Sequence, residues 1–255
     1  YYDWGQNPAS VRWMQTGDEH VKYIYPECYE RQAARLMKYM DTVRTQIGYG
    51  FRHGPMKRMP LIMQTQNFSA NGIVMLAPRR MEFIVTPEGV ASATPWLNLL
   101  AAHESRHAVQ YNNLNRGIMR GLGWFLGEQG SLVGMAFLPM WVVEGDAVMA
   151  ETQMTTFGRG LQPSFTMGYR AMLLEGEKYP RDKYFSGSYK DYLPGHYELG
   201  YQMVTWAYTH FGENIWDKVS WYAARNPYFI LPTGIALRKF YGTSERKLFD
   251  ATFED

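Results

Sequence analysis

The residues most able to do chemistry lie in one short stretch, Ala102 to Ala108, which reads AHESRHA. It contains the pattern H-E-x-x-H, and the residues before it, from Trp96 onward, are typical of a helix. Side chains four positions apart lie on one face of a helix, so His103 and His107 can both reach one metal ion. Glu104 lies beside them, where it could accept a proton from a metal-held water. The stretch predicts a zinc site, the alternative being a chance match on an amphipathic helix.

A catalytic zinc ion needs three protein ligands and one open position, so two histidines do not complete the site. In the metzincins the third ligand follows in the pattern H-x-x-G-x-x-H, but Gln110 and Asn113 stand at those positions and exclude that class. Glu144 is the better candidate, because it lies in an apolar, predicted helical run where an unpaired carboxylate is costly to bury. A surface glutamate near a helix start is the alternative.

Composition narrows the class of protein. The chain has 255 residues, of which 46% are hydrophobic and 20% charged, as in a folded domain with a sizeable core. A net charge of +2 and the lack of a dense Lys/Arg block predict no nucleic-acid partner. Cys28 is the only cysteine, which excludes an internal disulfide and a cysteine-based zinc site. The longest apolar run, Leu132 to Val143, is too short to cross a bilayer, so no transmembrane segment is expected.

The elements that must position these residues follow from hydrophobic periodicity. Residues 1–19 are expected to be irregular, with Trp4 and Trp13 as anchors, and residues 178–194 to form a long loop. Strands are predicted at 20–25, 59–64, 73–76 and 81–86, with Asn71-Gly72 as a turn. Helices are predicted at 26–47, 95–113, 116–137 (one helix or two shorter ones), 139–153, 196–211, 214–225, 231–241 and 244–253. Thr94 and Pro95 supply the start signal for the helix that carries the H-E-x-x-H stretch.

These elements predict an α+β fold. A small mixed sheet lobe with a covering helix, residues 1–93, precedes a mainly helical lobe, residues 94–255, and the active-site cleft lies between them. No linker or repeat divides the chain, so we expect one catalytic-sized unit of two lobes, with the lobe boundary near residue 90.

The order of the motifs resembles the gluzincins, zinc metallopeptidases of the peptidase MA-like group that are related in motif to a class of aminopeptidases. H-E-x-x-H is followed by W-x-x-E-G-x-A-x-x-x-E, running from Trp141 to Glu151, and then by Y-x-x-G from Tyr197 to Gly200. The resemblance implies that Glu144 is the third zinc ligand and that Glu151 orients a zinc-bound histidine. It also implies that Tyr197 faces the reacting carbonyl.

Two departures from the family pattern limit what the resemblance implies. The gap between His107 and Glu144 is longer than in the aminopeptidases, and this indicates an inserted helical segment. The aminopeptidase motif G-x-M-E-N is matched only in its Met-Glu step, at Met81-Glu82-Phe83, so we do not infer exopeptidase specificity. His196 and Tyr201 are further candidates for contacting the oxyanion or the substrate.

The expected function is hydrolysis of peptide bonds by a metal-activated water, with one Zn²⁺ per chain. Glu104 would act as general base, and Tyr197 would donate a hydrogen bond to the developing oxyanion. A peptide or protein substrate would add a strand to the sheet edge near Met81–Thr86. The alternatives are a gluzincin-like scaffold used as a binding module and a metallohydrolase with a non-peptide substrate. The resemblance further implies an exported bacterial protein of the periplasm or cell envelope, with further domains outside these residues.

Overall fold

A computed structural model describes residues 7–86, 94–229 and 231–254. The fold is α+β, as predicted, with a small mixed sheet followed by a mainly helical region. The predicted boundary near residue 90 lies outside the described residues, as does Trp4. Five strands form one sheet, and they are β1 (Trp13–Gly17), β2 (Val21–Pro26), β3 (Met59–Gln64), β4 (Asn71–Leu76) and β5 (Arg79–Ile84).

Eleven α-helices are present in the described part of the chain. The sheet region contributes α1 (Glu30–Gln46), which follows a short 3-10 turn at Glu27–Tyr29. The helical region contains α2 (Trp96–Leu114), α3 (Gly117–Leu126), α4 (Glu128–Met135), α5 (Met140–Met154), α6 (Pro163–Leu174), α7 (Arg181–Ser186), α8 (His196–Phe211), α9 (Ile215–Arg225), α10 (Pro232–Tyr241) and α11 (Glu245–Glu254).

The strand order in the sheet is β1-β2-β3-β5-β4, and this corrects the predicted substrate edge. Strand β5 lies between β3, to which it is parallel, and β4, to which it is antiparallel. The stretch Met81–Thr86 is therefore interior, and β4 forms the edge. Asn71-Gly72, predicted as a turn, is the start of β4 and pairs with Ile84 and Phe83 of β5.

Three further sequence expectations are wrong. Strand β1 lies within the segment expected to be irregular, and Trp13 is 40% exposed there, so its ring is not a buried anchor. Helix α6 was not predicted, and α7 interrupts the expected loop at 178–194. Helix α2 begins at Trp96, so Pro95 takes the N-cap position expected for Thr94, whose hydroxyl donates to the Phe157 carbonyl.

The glycine-rich stretch 116–137 forms two helices, the second of the two predicted alternatives.

Helix α2 is buried along most of its length because it lies between two hydrophobic clusters. Leu100, Ala101, Ala108 and Val109 pack with the sheet and α1. The other cluster is centred on α5, α8 and α9. A helix enclosed in this way holds its side chains in fixed directions, which a metal site requires.

Helices α5 and α8 cross at two glycines that belong to the sequence motifs. A Cβ added to Gly145 would lie 2.2 Å from the Gly200 carbonyl carbon, and one added to Gly200 would lie 2.4 Å from the Trp141 oxygen. The two backbones can approach this closely only because both side chains are missing. The contact fixes Glu144 on one helix and Tyr197 on the other within the same part of the molecule.

Among the described residues, no single helix has the length and apolar character needed to cross a membrane. Only the sharply bent pair α4 and α5 satisfies those two criteria together.

Candidate metal centre and active site

Helices α2 and α5 bring the three predicted metal ligands together. His103 and His107 lie one helical turn apart on α2, and Glu144 approaches them from the second turn of α5. The His103 Nε2 atom lies 3.2 Å from His107 Nε2 and 3.2 Å from Glu144 Oε2. The distance from His107 Nε2 to Glu144 Oε2 is 3.5 Å. All three side chains are buried, and within the described part of the chain they are the group of potential metal ligands that converges.

The outer ring nitrogens of both histidines are held by hydrogen bonds. His103 Nδ1 lies 3.0 Å from Glu151 Oε2, and His107 Nδ1 lies 2.9 Å from Gln110 Oε1. With Nδ1 as the donor in these two bonds, each Nε2 keeps its lone pair directed at the common point. Glu151 thus contacts one predicted metal ligand, and Gln110 makes the equivalent contact to the second histidine.

The triangle of donor atoms has the dimensions of a zinc site. Zinc bonds to histidine nitrogen are about 2.0–2.1 Å long, so two donor atoms of a tetrahedral site lie about 3.3–3.4 Å apart. The three observed distances between donor atoms, 3.2, 3.2 and 3.5 Å, bracket that value. Two imidazole nitrogens and one carboxylate oxygen are also the donor set of catalytic zinc sites with an open fourth position. The residues present therefore fit a zinc ion.

The electrostatics of the cluster favour bound cations. Burial alone would raise the pKa of Glu144, but the charges and hydrogen bonds of His107 and His103 hold it well below its usual value. The pKa of His107 is raised, because the attraction of Glu144 exceeds the opposing effect of burial. A positive charge at this point is thus stabilised by the carboxylates that surround it.

Glu104 is nearly fully buried beside the cluster, at the edge of the cleft. Burial raises the pKa of its carboxyl group, and the neighbouring His107 and His103 offset that rise only in part. A carboxylate with a raised pKa accepts a proton more readily, as a general base must. A Cβ at Gly72 would lie 2.9 Å from Glu104 Oε1, so the absence of a side chain at Gly72 leaves room for the carboxylate against β4.

A buried ion pair fixes α2 against α5, and its members were not predicted from the sequence. Arg106 donates from Nε and Nη2 to Asp146, with both distances 2.8 Å. It also donates to the carbonyls of Ile47 and Tyr49 at 2.7 Å. Asp146 in turn accepts from Gln110 Nε2 at 2.7 Å, and so links this pair to the residue that orients His107.

Arg159 is a second residue that sequence reasoning missed. It lies in a 3-10 turn after α5 and donates to both oxygens of Glu151, at 2.5 and 2.9 Å. Its Nη2 is 2.7 Å from His103 Nδ1, and the two nitrogens share the Glu151 Oε2 acceptor. Its guanidinium carbon lies 5.3 Å from the centroid of the Tyr197 ring. The flanking Gly158 and Gly160 allow the turn to approach α5 and the Tyr201 ring, and this G-R-G sequence was the available signal.

Helix α8 places two of its three candidate residues in the cleft, both from its first turn. Tyr197 and His196 both line it, with their rings 4.6 Å apart, and the Tyr197 ring lies 6.2 Å from that of His103. Tyr201 does not line the cleft, because its ring packs against Phe165 and covers Gly160. The structure therefore brings Tyr197 and His196 to the metal ligands and directs Tyr201 elsewhere.

The cleft itself has a volume of about 490 Å³. One wall is the start of the edge strand β4, and the others are α2, α5 and the first turn of α8. No protein-family model matches the chain, and no curated protein matches it in sequence.

Removing a ligand should remove the metal. His103→Ala and Glu144→Ala are each expected to lose stoichiometric zinc, because two donors do not hold the ion against water. Glu151→Ala should weaken zinc binding by about 10–100-fold, since it removes the acceptor that orients His103. Competition with a chromophoric chelator measures all three affinities. His210→Ala, an exposed histidine on α8, is the matched control, and equal zinc affinity in all variants would disprove the site.

Proposed function

We propose that this protein is a zinc-dependent peptidase of the gluzincin type. The observation that carries the proposal is the convergence of three metal-directed donors beside a buried glutamate, in a cleft bordered by a free sheet edge. His103, His107 and Glu144 would hold the ion. When bound, zinc polarises a carbonyl and makes water more acidic. The order of H-E-x-x-H, the glutamate in E-G and the later tyrosine supports placement in the peptidase MA-like group.

The chain's own residues supply the proton transfers. Glu104 accepts a proton from the attacking water and returns it to the leaving nitrogen when the peptide bond breaks. Tyr197 donates a hydrogen bond from its hydroxyl to the substrate oxygen as negative charge develops there. Glu151 and Gln110 hold the two imidazoles in the required tautomer, and Arg159 holds Glu151 in place.

The substrate backbone would extend along β4. Asn71, Gly72, Ile73 and Val74 line the cleft, and among the described strands β4 pairs with β5 alone. An extended peptide could therefore hydrogen-bond to the free edge and lie with one carbonyl over the metal ligands. This edge binding favours a peptide over a compact non-peptide substrate.

The proposal is tested by incubating the zinc-loaded protein with a diverse peptide library and identifying products by mass spectrometry. Defined cleavage products that disappear with a chelator would support it. Binding of library peptides without any product would instead favour a binding module. Hydrolysis of esters or other small substrates alone would favour a different metallohydrolase.

Tyr197→Phe should keep zinc and the fold but lose most of the turnover. Removing an oxyanion donor of this kind costs about 10²–10³ in kcat, with little change in KM. Steady-state kinetics on one cleaved peptide measures this, with Tyr201→Phe and His196→Ala beside it. Tyr201→Phe is the matched control, because its ring lies outside the cleft. A near-normal kcat in Tyr197→Phe with a collapse in His196→Ala would move the donor to His196.

A further inference from the structure

A second cavity, of about 620 Å³, lies on another face of α2 from the metal ligands. It is found where β2 and β5 begin, between α1 and α2, and the loop 52–57 covers it. The volume is within the range of small-molecule sites, which is about 300–1,000 Å³. The proposed peptidase function makes no use of this cavity.

The charged side chains that line the cavity are all basic. Among the described residues, its lining contains four Lys or Arg side chains, two histidines and no carboxylate, the basic ones being Arg44, Arg52, Lys57, Arg79, His20 and His53. The whole chain, by contrast, has 26 basic and 24 acidic residues. Such a concentration of one sign in a concave site creates a potential that attracts anions.

Two of these cations form no ion pair with another described residue. Arg44 pairs with Asp18 at 3.1 Å and Asp41 at 3.3 Å. Arg79 lies 3.9 Å from Glu128. Arg52 and Lys57, in contrast, make no side-chain ion pair within the ranges that the structure describes. They are the groups available to a bound anion.

The loop that carries Arg52 and Lys57 is held in one conformation by α2. The fully buried Asn113 accepts from the His53 N–H at 3.1 Å and donates to the His53 carbonyl at 2.7 Å. Asn112 donates to the Gly54 carbonyl at 2.9 Å, and the Met56 N–H donates to the Ala108 carbonyl. These bonds hold the loop backbone, so its basic side chains are presented from a fixed frame.

The floor of the cavity has a different character. It contains the buried side chains of Met40 and Met81, together with the Ser105 hydroxyl. Ser105 is 2% exposed, and among the described groups its hydroxyl hydrogen-bonds only to the Met40 sulfur, at 3.9 Å. A thioether is a weak acceptor, so this buried hydroxyl can still bond to a polar atom of a ligand.

We propose that this cavity binds a small organic anion with an apolar body. Its anionic group would lie between Arg52 and Lys57, and its apolar part would cover Met40 and Met81 with one polar atom near Ser105. An inorganic anion would leave the apolar floor unfilled, and a neutral apolar compound would leave the two cations unpaired. A ligand with both an anionic group and an apolar part would use the whole lining.

The test uses two probes that differ only in the anionic group. Anilinonaphthalene sulfonate carries a sulfonate, and phenylnaphthylamine is its neutral counterpart. Fluorescence titration of the whole protein should show tighter binding of the sulfonate. Arg52→Ala/Lys57→Ala should weaken sulfonate binding at least tenfold and leave binding of the neutral probe unchanged. Both side chains are exposed, so the double variant should keep the unfolding midpoint of the wild type.

The matched control is Arg120→Ala/Arg170→Ala, which removes the same charge from exposed positions on α3 and α6. It should bind the sulfonate as the wild type does. Equal loss in both double variants would show a general charge effect and overturn the proposal. Equal affinity of the wild type for the two probes, or no loss in Arg52→Ala/Lys57→Ala, would overturn it as well. Peptide cleavage is not part of the readout, so failure of the proposed peptidase function is distinguished from failure of this site.

Discussion

Glu104→Gln should reduce peptide cleavage to near background while zinc stays bound. Glutamine has the size of glutamate but cannot accept a proton at its amide oxygen under these conditions, so the general base is lost. Loss of general-base catalysis costs about 10²–10⁴ in rate. The side chain is not one of the three metal-directed donors, so zinc affinity should change little. Single-turnover kinetics on a cleaved peptide, with metal analysis of the same sample, measures both quantities.

Glu175→Gln is the matched control, because that glutamate is exposed at the end of α6, outside the cleft. It should cleave at the wild-type rate. If Glu104→Gln cleaves as fast as Glu175→Gln, Glu104 is not the base and the proposed proton transfers are wrong.

Asp146→Ala should destabilise the protein by about 3–5 kcal/mol, the usual cost of removing one partner from a buried ion pair. The side chains of both Asp146 and Arg106 are only 1% exposed, so the substitution leaves the guanidinium buried without its carboxylate. Gln110 loses an acceptor as well, and His107 is then held less firmly. We therefore expect weaker zinc binding in addition to a lower free energy of unfolding. Urea denaturation with and without zinc measures both.

Asp182→Ala is the control for this variant. Asp182 pairs with Arg181 at 3.5 Å on the surface, and its side chain is 89% exposed. Solvent screens such pairs, so the unfolding midpoint should stay near that of the wild type. A similarly small effect for Asp146→Ala would show that α2 and α5 are held together by apolar packing rather than by the ion pair.

The helices around the site could be predicted because their signals are local. The spacing of His103 and His107 sets their common face, and the bounds predicted for α8 agree with the structure. Glu144 could be singled out because a carboxylate in an apolar helix needs a partner. Each of these inferences uses residues close together in the chain.

The residues that sequence reasoning missed depend on contacts between distant segments. Arg106 and Asp146 are 40 positions apart, and nothing in the local pattern of either distinguishes a buried pair from two surface charges. The position of Arg159 depends on a turn whose path is set by Gly158 and Gly160 against other helices.

The sheet edge was misassigned for a related reason. The sequence predicts β4 and β5 as successive strands, but not which of them pairs with β3. The structure pairs β5 with β3, so β5 is interior and nearly buried along its last four residues. Strand β4 keeps a more exposed pattern and takes the edge, which moves the proposed substrate strand to Asn71–Leu76. Pairing order is a tertiary property that alternation of apolar residues does not encode.

The most direct test of the central claim is a zinc titration of metal-free protein, with peptide cleavage followed at each step. The proposed function predicts that cleavage rises in proportion to added zinc, stops rising at one ion per chain, and stays at background throughout in Glu104→Gln. Cleavage that is independent of zinc, or zinc bound at one per chain without cleavage of any library peptide, would contradict it.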